Sequence, residues 1–320
     1  MSHSVPFYPI LMHFAARYSG FTYGQFASDH RTLVECNMRC RDDFGMDAVG
    51  LISDPYRETS AFGARVTFPD EAVPRCMESV VRSIEDIASL KNPDVYREER
   101  TMDRIKGAEV LRKRVGGEVP VIGWIEGPLA ESCDLAGVSE VLLNIFMEPD
   151  FVKRLIDRTM TTAKAFAKAQ VEAGCDIIGV GDAICSQIDA ESYREFVKEK
   201  HRELFEYIQS LGAKVKLHIC GNITHLLEDI RETGPDIVDI DWMVDMEHAF
   251  KVLGSAIIRC GNLDPVSVVQ ERAPAEIIHE TEQLCRREES RPFILSGGCE
   301  ITVNTPVEHL KAMRLASQSP

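Results

Sequence analysis

The sequence carries no surplus of positive charge: 36 Lys and Arg stand against 51 Asp and Glu, a formal net charge of −15. Nucleic-acid and anionic-membrane surfaces need clustered cations, so neither partner is expected, although local basic residues can still hold an anionic small molecule. Nor is there an uninterrupted apolar stretch long enough to span a bilayer, or an N-terminal basic segment leading into an apolar run. A cytoplasmic location is therefore expected, with thiols kept reduced. The ten cysteines then read as ligands or core fillers rather than disulfides, and the close pairs Cys36/Cys40 and Cys175/Cys185 read as structural. Low-complexity linkers are absent, and no glycine-rich phosphate loop follows the first strand-like run.

What the chain does have is alternation. With 320 residues, 44% of them hydrophobic, it can bury a sizeable core. Strand patterns are expected over residues 5–14, 47–53, 119–124, 177–180, 215–220, 237–240, 256–258 and 293–295. Helical patterns are expected over 28–44, 74–90, 94–115, 138–146, 151–173 with Asp150 as its N-cap, 190–211, 224–233, 246–253, 275–287 and from Pro306 onward. The charged face of 94–115 reads as a solvated one, and residues 56–69 as an elaborated loop over a strand end. Strand and helix alternating seven or eight times is the signature of a parallel α/β architecture. The count predicts one domain over 1–320, a closed (β/α)8 TIM barrel with an elaborated N-terminal region, rather than a doubly wound sheet.

In such a barrel the chemistry sits at the carboxyl ends of the strands. Asp54, Glu126, Asp182, His218, Cys220, Asp241, Asn262 and Cys299 all fall at predicted strand ends. Among them His218 and Cys220, two apart on a strand, face the same side and form half of a metal site. Cys299 follows another strand across Gly297-Gly298. One imidazole and two thiolates suit zinc, and three protein ligands leave a fourth position for a reacting group. A lone H-x-C can also arise without function, because a buried cysteine commonly serves as a small hydrophobe.

Five stretches then carry a resemblance over nearly the full length: Ser53-Asp54 after an apolar strand, Gly127-Pro128, Gly181-Asp182 with the helix containing Tyr193 and Phe196, Gly261-Asn262-Leu263-Asp264-Pro265, and Thr305-Pro306-Val307-Glu308. With these the chain resembles the uroporphyrinogen decarboxylase superfamily, and within it the cobamide-dependent methyltransferase branch. Decarboxylases of the family carry M-R-Q-A-G-R-Y near the N-terminus, with arginines that hold substrate carboxylates. Here Met12–Tyr18 keeps Arg17 and has His13 in place of the first arginine, so half of that clamp is missing. The methyltransferase branch implies zinc held by His218, Cys220 and Cys299.

The resemblance further implies a methylcobamide carried by a corrinoid protein partner, and a small-molecule methyl donor or acceptor. Zinc would either bind a substrate thiol as thiolate or act as a Lewis acid on a methoxyl oxygen; the direction of transfer stays open. Asp54, Glu126 and Asp182 are the candidate catalytic carboxylates, with Asp54 equally readable as a strand-end cap before Pro55. Arg17, Asp241 and Asn262 are candidates for substrate binding, Asn262 also as a loop-fixing residue. One of Glu126, Asp182 or Asp241 is expected to hold His218 in place. Two rivals stand beside the methyltransferase: a metal-free porphyrinogen decarboxylase, favoured by Asp54 and Arg17, and a non-catalytic barrel whose zinc is closed off by a fourth ligand such as Glu300.

Overall fold

The computed structural model describes residues 4–318. Seven parallel strands form one sheet in the order β1 (Val49–Gly50), β4 (Val121–Glu126), β5 (Ile177–Gly181), β6 (Lys214–His218), β7 (Ile237–Ile240), β8 (Ile258–Leu263) and β9 (Phe293–Gly297). Two short strands, β2 (Val66–Thr67) and β3 (Arg75–Cys76), pair as an antiparallel hairpin outside it. Helices connect the parallel strands and cover the outer face, so β4 is buried throughout and β7 likewise, as parallel sheets require.

The eighth position is filled by the N-terminal segment. Phe7 bridges Leu295 of β9 in parallel, with Tyr8 N donating to Leu295 O at 3.0 Å and Leu295 N to Pro6 O at 2.8 Å. On the other side Asp47 N donates to Phe7 O at 2.9 Å, which ties the segment to the approach of β1 and closes the TIM barrel. The expected strand over 5–14 is thus a single bridge. Pro6 and Pro9 have no N–H to give a ladder, and the helix His13–Ser19 already begins inside that range.

Other expectations shift for identifiable reasons. Residues 74–90 are not one helix: Arg75 and Cys76 belong to the hairpin, and the helix is only Ile84–Ser89, started by Ser83, whose side chain accepts from Asp86 N. Val80 and Val81 instead donate to Leu135 O, so the apolar spacing there comes from chain draped over the helix Pro128–Ala136. That helix was hidden by its own Gly-Pro opening, with Pro128 at its first turn. Asp150 does not cap: Pro149 begins the helix Pro149–Glu172 and the cap position is Glu148, without a side-chain bond. The helix expected over 190–211 widens into a π turn at Tyr193–Val197 before continuing as Lys198–Ser210. Among the described residues no helix is long and apolar enough to cross a membrane.

Candidate metal centre and active site

Strand register sets the frame. Glu126 of β4 pairs with Gly181 of β5, and Gly181 with His218 of β6, so Glu126 and His218 share one row at the carboxyl rim. Cys220 lies two residues beyond His218. Cys299 is brought over by the turn after β9, where Gly298 is needed: a side chain on it would run into the Asp241-Trp242 backbone. His218 Nε2 lies 3.1 Å from Cys220 Sγ, Cys220 Sγ 3.6 Å from Cys299 Sγ, and Cys299 Sγ 4.0 Å from His218 Nε2.

Those separations bear on metal binding directly. Ligand atoms around a tetrahedral zinc with ordinary Zn–S and Zn–N bonds lie roughly 3.4–3.8 Å apart, so the three donors fit one ion with small adjustments. They also form a converging set of metal-ligand type, all three donor atoms within 4.8 Å of one another. Without an ion the cluster is strongly polarised. A hydrogen bond from the Cys220 thiol, helped by His218, pulls Cys299 down to about 4, while the same contact and burial push Cys220 up. Burial opposes charge on His218, but Asp239 and Cys299 outweigh it and hold the ring at about 9.

The carboxylate that holds His218 is none of the three expected. Asp239 Oδ2 lies 2.8 Å from His218 Nδ1, which leaves Nε2 facing the sulfurs. Lys216, almost fully buried in β6, donates to the same Asp239 oxygen. The lysine holds Asp239 well below the usual carboxylate range against the effect of burial. Asp239→Asn is expected to lower zinc affinity by ~10–100-fold, the range for an outer partner of a metal-bound histidine. Zinc competition titration measures it, and an unchanged affinity would remove Asp239 from the site's design.

A cavity of about 260 Å³ opens over the three donors. Trp124 forms one wall, its ring centroid 5.8 Å from that of His218, and Tyr23 and Ile52 form another. A larger hollow of about 780 Å³ lies at the opposite end of the barrel, by Pro6, Pro120 and Ile237. None of the expected site residues borders it, and barrel chemistry belongs at the carboxyl rim.

Asp54 and Glu126 border the upper cavity. Asp54 is buried and accepts from Arg100, from Ser53 Oγ at 2.8 Å and from Tyr56 N at 3.1 Å. Burial would push its carboxyl up, but Arg100, Arg57 and Arg104 outweigh that and hold it below the usual value. Glu126 Oε1 accepts from Arg57 Nη2 at 2.7 Å, yet burial among Glu58 and Asp134 pushes its carboxyl well above the ordinary range. Arg100 and Arg104 lie on the helix Glu99–Val115, whose charged face was expected in solvent; they are 6% and 0% exposed. Two arginines four apart point the same way on a helix, a signal that was present in the sequence and went unused.

The remaining expected residues do not gather here. Asp182 is fully buried below the rim, accepting from Leu129 N at 3.3 Å and Ala130 N at 2.7 Å at a helix N-terminus, and meeting His201 Nε2 at 2.9 Å. It anchors a helix and does not border the cavity. Arg17 is exposed and donates to Asn304 Oδ1 at 2.8 Å, turned away from the cavity. Asn262 Nδ2 donates to Val244 O at 2.9 Å and fixes its loop. Asp241 accepts from Gly221 N at 2.6 Å and Trp242 N at 2.7 Å, shaping the turn after Cys220. Glu300 borders the cavity, and its Oε1 accepts from His13 N at 2.9 Å. Cys36, Cys40, Cys175 and Cys185 are buried and free.

The profile of the family described as uroporphyrinogen decarboxylase (URO-D) matches residues 3–319. Methylcobamide:CoM methyltransferase MtbA of Methanosarcina mazei is 30% identical over 272 residues, 84% of this chain and 78% of that one. A uroporphyrinogen decarboxylase of Carboxydothermus hydrogenoformans is 25% identical, over 96% of this chain and 90% of its own. A solved methyltransferase from Methanosarcina mazei superposes with a TM-score of 0.89 at 21% identity, covering 98% of this chain and 93% of that one, a likeness of fold.

Proposed function

The chain belongs to the uroporphyrinogen decarboxylase family, and from that premise we propose a zinc-dependent methyltransferase. It moves a methyl group between a corrinoid carried by a partner protein and a small substrate such as a thiol or a methoxylated compound. Relatives of both kinds in the family are enzymes, and those named for methylcobamide support a corrinoid partner. The observation that carries the proposal is the convergence of His218 Nε2, Cys220 Sγ and Cys299 Sγ at the floor of an open cavity.

These three residues would hold the ion. Bound there, zinc supplies a Lewis acid that favours the thiolate of a substrate thiol or draws charge from an ether oxygen. Asp239 keeps the His218 ring turned with Nε2 outward, and Lys216 neutralises Asp239 from below. Trp124 and Tyr23 present apolar faces that position a small molecule and keep water from the reacting atoms. Asp54, held ionised by Arg100, is suited to orient a donor group of the substrate and poorly suited to give up a proton. Glu126, whose carboxyl burial pushes up, is the better proton donor of the two.

A decarboxylase clamp would need cations facing the cavity. Arg17 faces outward to Asn304, and the arginines behind Asp54 are already paired. Purified without chelator, the protein is expected to hold about one zinc per chain. With a suitable substrate it should demethylate methylcobalamin, or methylate the reduced corrinoid, as followed by cobalamin absorbance. Chelator stripping should abolish the transfer and added zinc restore it. A folded protein without metal, or a transfer indifferent to stripping, overturns the proposal.

A further inference from the structure

Two of the three donors are also placed to bond to each other. We propose that Cys220 and Cys299 form a reversible oxidation site: hydrogen peroxide joins them in a disulfide, which expels the metal, and a dithiol reopens the pair. The bond rests only on the placement of the two sulfurs; its consequence for activity rests on the zinc methyltransferase reading.

Cys220 Sγ and Cys299 Sγ are 3.6 Å apart. A disulfide needs about 2.05 Å, so the sulfurs must close by roughly 1.5 Å. The backbone beside each is built to give that much. Cys220 precedes Gly221, which has φ +91°, and Cys299 follows Gly297 and Gly298 in the turn after β9. Both turns lean on one support: Gly221 N donates to Asp241 Oδ2 at 2.6 Å, and Gly298 lies against the Asp241-Trp242 backbone. They can approach each other without moving a strand.

Access singles out the same pair. Of the ten cysteines, seven are buried, and Cys76, Cys220 and Cys299 are partly exposed. Cys220 and Cys299 border the open cavity, where a molecule as small as peroxide reaches them. Cys76 lies in the hairpin, where its thiol donates to Glu78 O at 3.2 Å, a carbonyl and not a second sulfur.

The first sulfur, as thiolate, attacks a peroxide oxygen; the O–O bond breaks, hydroxide leaves and a sulfenic acid remains. The second thiol attacks that sulfur, the S–O bond breaks, water leaves and the S–S bond forms. Two electrons have passed from the sulfurs to the peroxide, whose oxygens end as hydroxide and water. Zinc binds thiolates, and neither sulfur of a disulfide is one, so His218 alone is left to hold the ion. A neighbour this close also traps the sulfenic acid before more peroxide carries it to the irreversible sulfinic acid. A dithiol then attacks the bridge, closes into its own disulfide and returns both cysteines as thiols.

The test treats the full-length protein, zinc-loaded and chelator-stripped, with a small excess of hydrogen peroxide. Differential alkylation should show two thiols lost per chain in both samples, and non-reducing peptide mapping should find Cys220 linked to Cys299. The loaded sample should release about one zinc per chain to a chromogenic chelator, and dithiothreitol followed by zinc should restore both thiols and metal. Cys76→Ser should match the native protein throughout. A link elsewhere, sulfinic acid on either cysteine in place of the link, or a loaded protein that keeps its zinc after oxidation overturns the proposal. So does zinc released while both thiols stay free. Zinc content before treatment reports separately on the methyltransferase reading. A chain that forms the link yet was purified without metal loses that reading and keeps the oxidation site; a zinc protein that forms no link does the reverse.

Discussion

Cys299→Ser is expected to abolish stable zinc binding and to cut methyl transfer by at least ~100-fold, about 2.7 kcal/mol of transition-state stabilisation. Cys299 is the one thiol of the cluster that the surroundings favour as thiolate, pulled down to about 4 by its neighbours Cys220 and His218. A serine hydroxyl at that point does not ionise and is a poor ligand for a borderline-soft ion. The loss should exceed the ~10–100-fold typical of an outer-sphere partner, so Cys299→Ser must be worse than Asp239→Asn. The fold should survive, because Cys299 is partly exposed on a turn beyond β9 and packs no core. Elemental analysis with circular dichroism separates the cases. A folded variant that retains one tightly held zinc removes Cys299 from the site, and with it the proposed mechanism.

The ligand trio was legible in the sequence because strand ends are. His218 and Cys220 stand two apart where an apolar run stops at Gly221, and Cys299 follows Gly297-Gly298 at the end of another, so barrel geometry alone brings them to one rim. Their support was not legible. Lys216 and Asp239 sit inside runs that otherwise read as apolar strands, and only the pairing of β6 with β7 brings them together. Asp241 was chosen over Asp239 although the two share a face; the deeper one reaches His218 and the outer one holds a turn. Asp182 looked catalytic by position, yet the Gly127-Pro128 turn lays a helix N-terminus over it. Arg100 and Arg104 were misplaced for the opposite reason. A helix rich in both charges looks solvated by composition, and only the arrival of Ser53 and Asp54 against it shows that one face is inside.

Arg57→Met is expected to destabilise the protein by about 3–5 kcal/mol, the usual result of removing one partner from a buried ion pair. That corresponds to a fall in melting temperature on the order of 10 °C for a domain of this size. Arg57 is fully buried and stands against Glu126, Glu58 and the Asp54 carbonyl. Burial already pushes the Glu126 and Glu58 carboxyls up, and without the guanidinium they rise further. A carboxyl raised in the folded state binds more protons folded than unfolded. Its contribution is therefore whole below the ordinary glutamate value of about 4.3 and is lost as pH climbs through the folded value. The variant's deficit should accordingly be largest at pH 8 and shrink at pH 5.5, where the two acids go neutral at less cost. Asp54 runs the other way: its carboxyl is held low, so its contribution is present at neutral pH and fades only in strong acid. Thermal melts across pH 5–8 decide the matter, and equal losses at both ends would show that Arg57 acts through packing alone. Zinc content should not change in this variant, since Arg57 is not among the partners of His218, Cys220 or Cys299, which separates damage to the wall from damage to the metal centre.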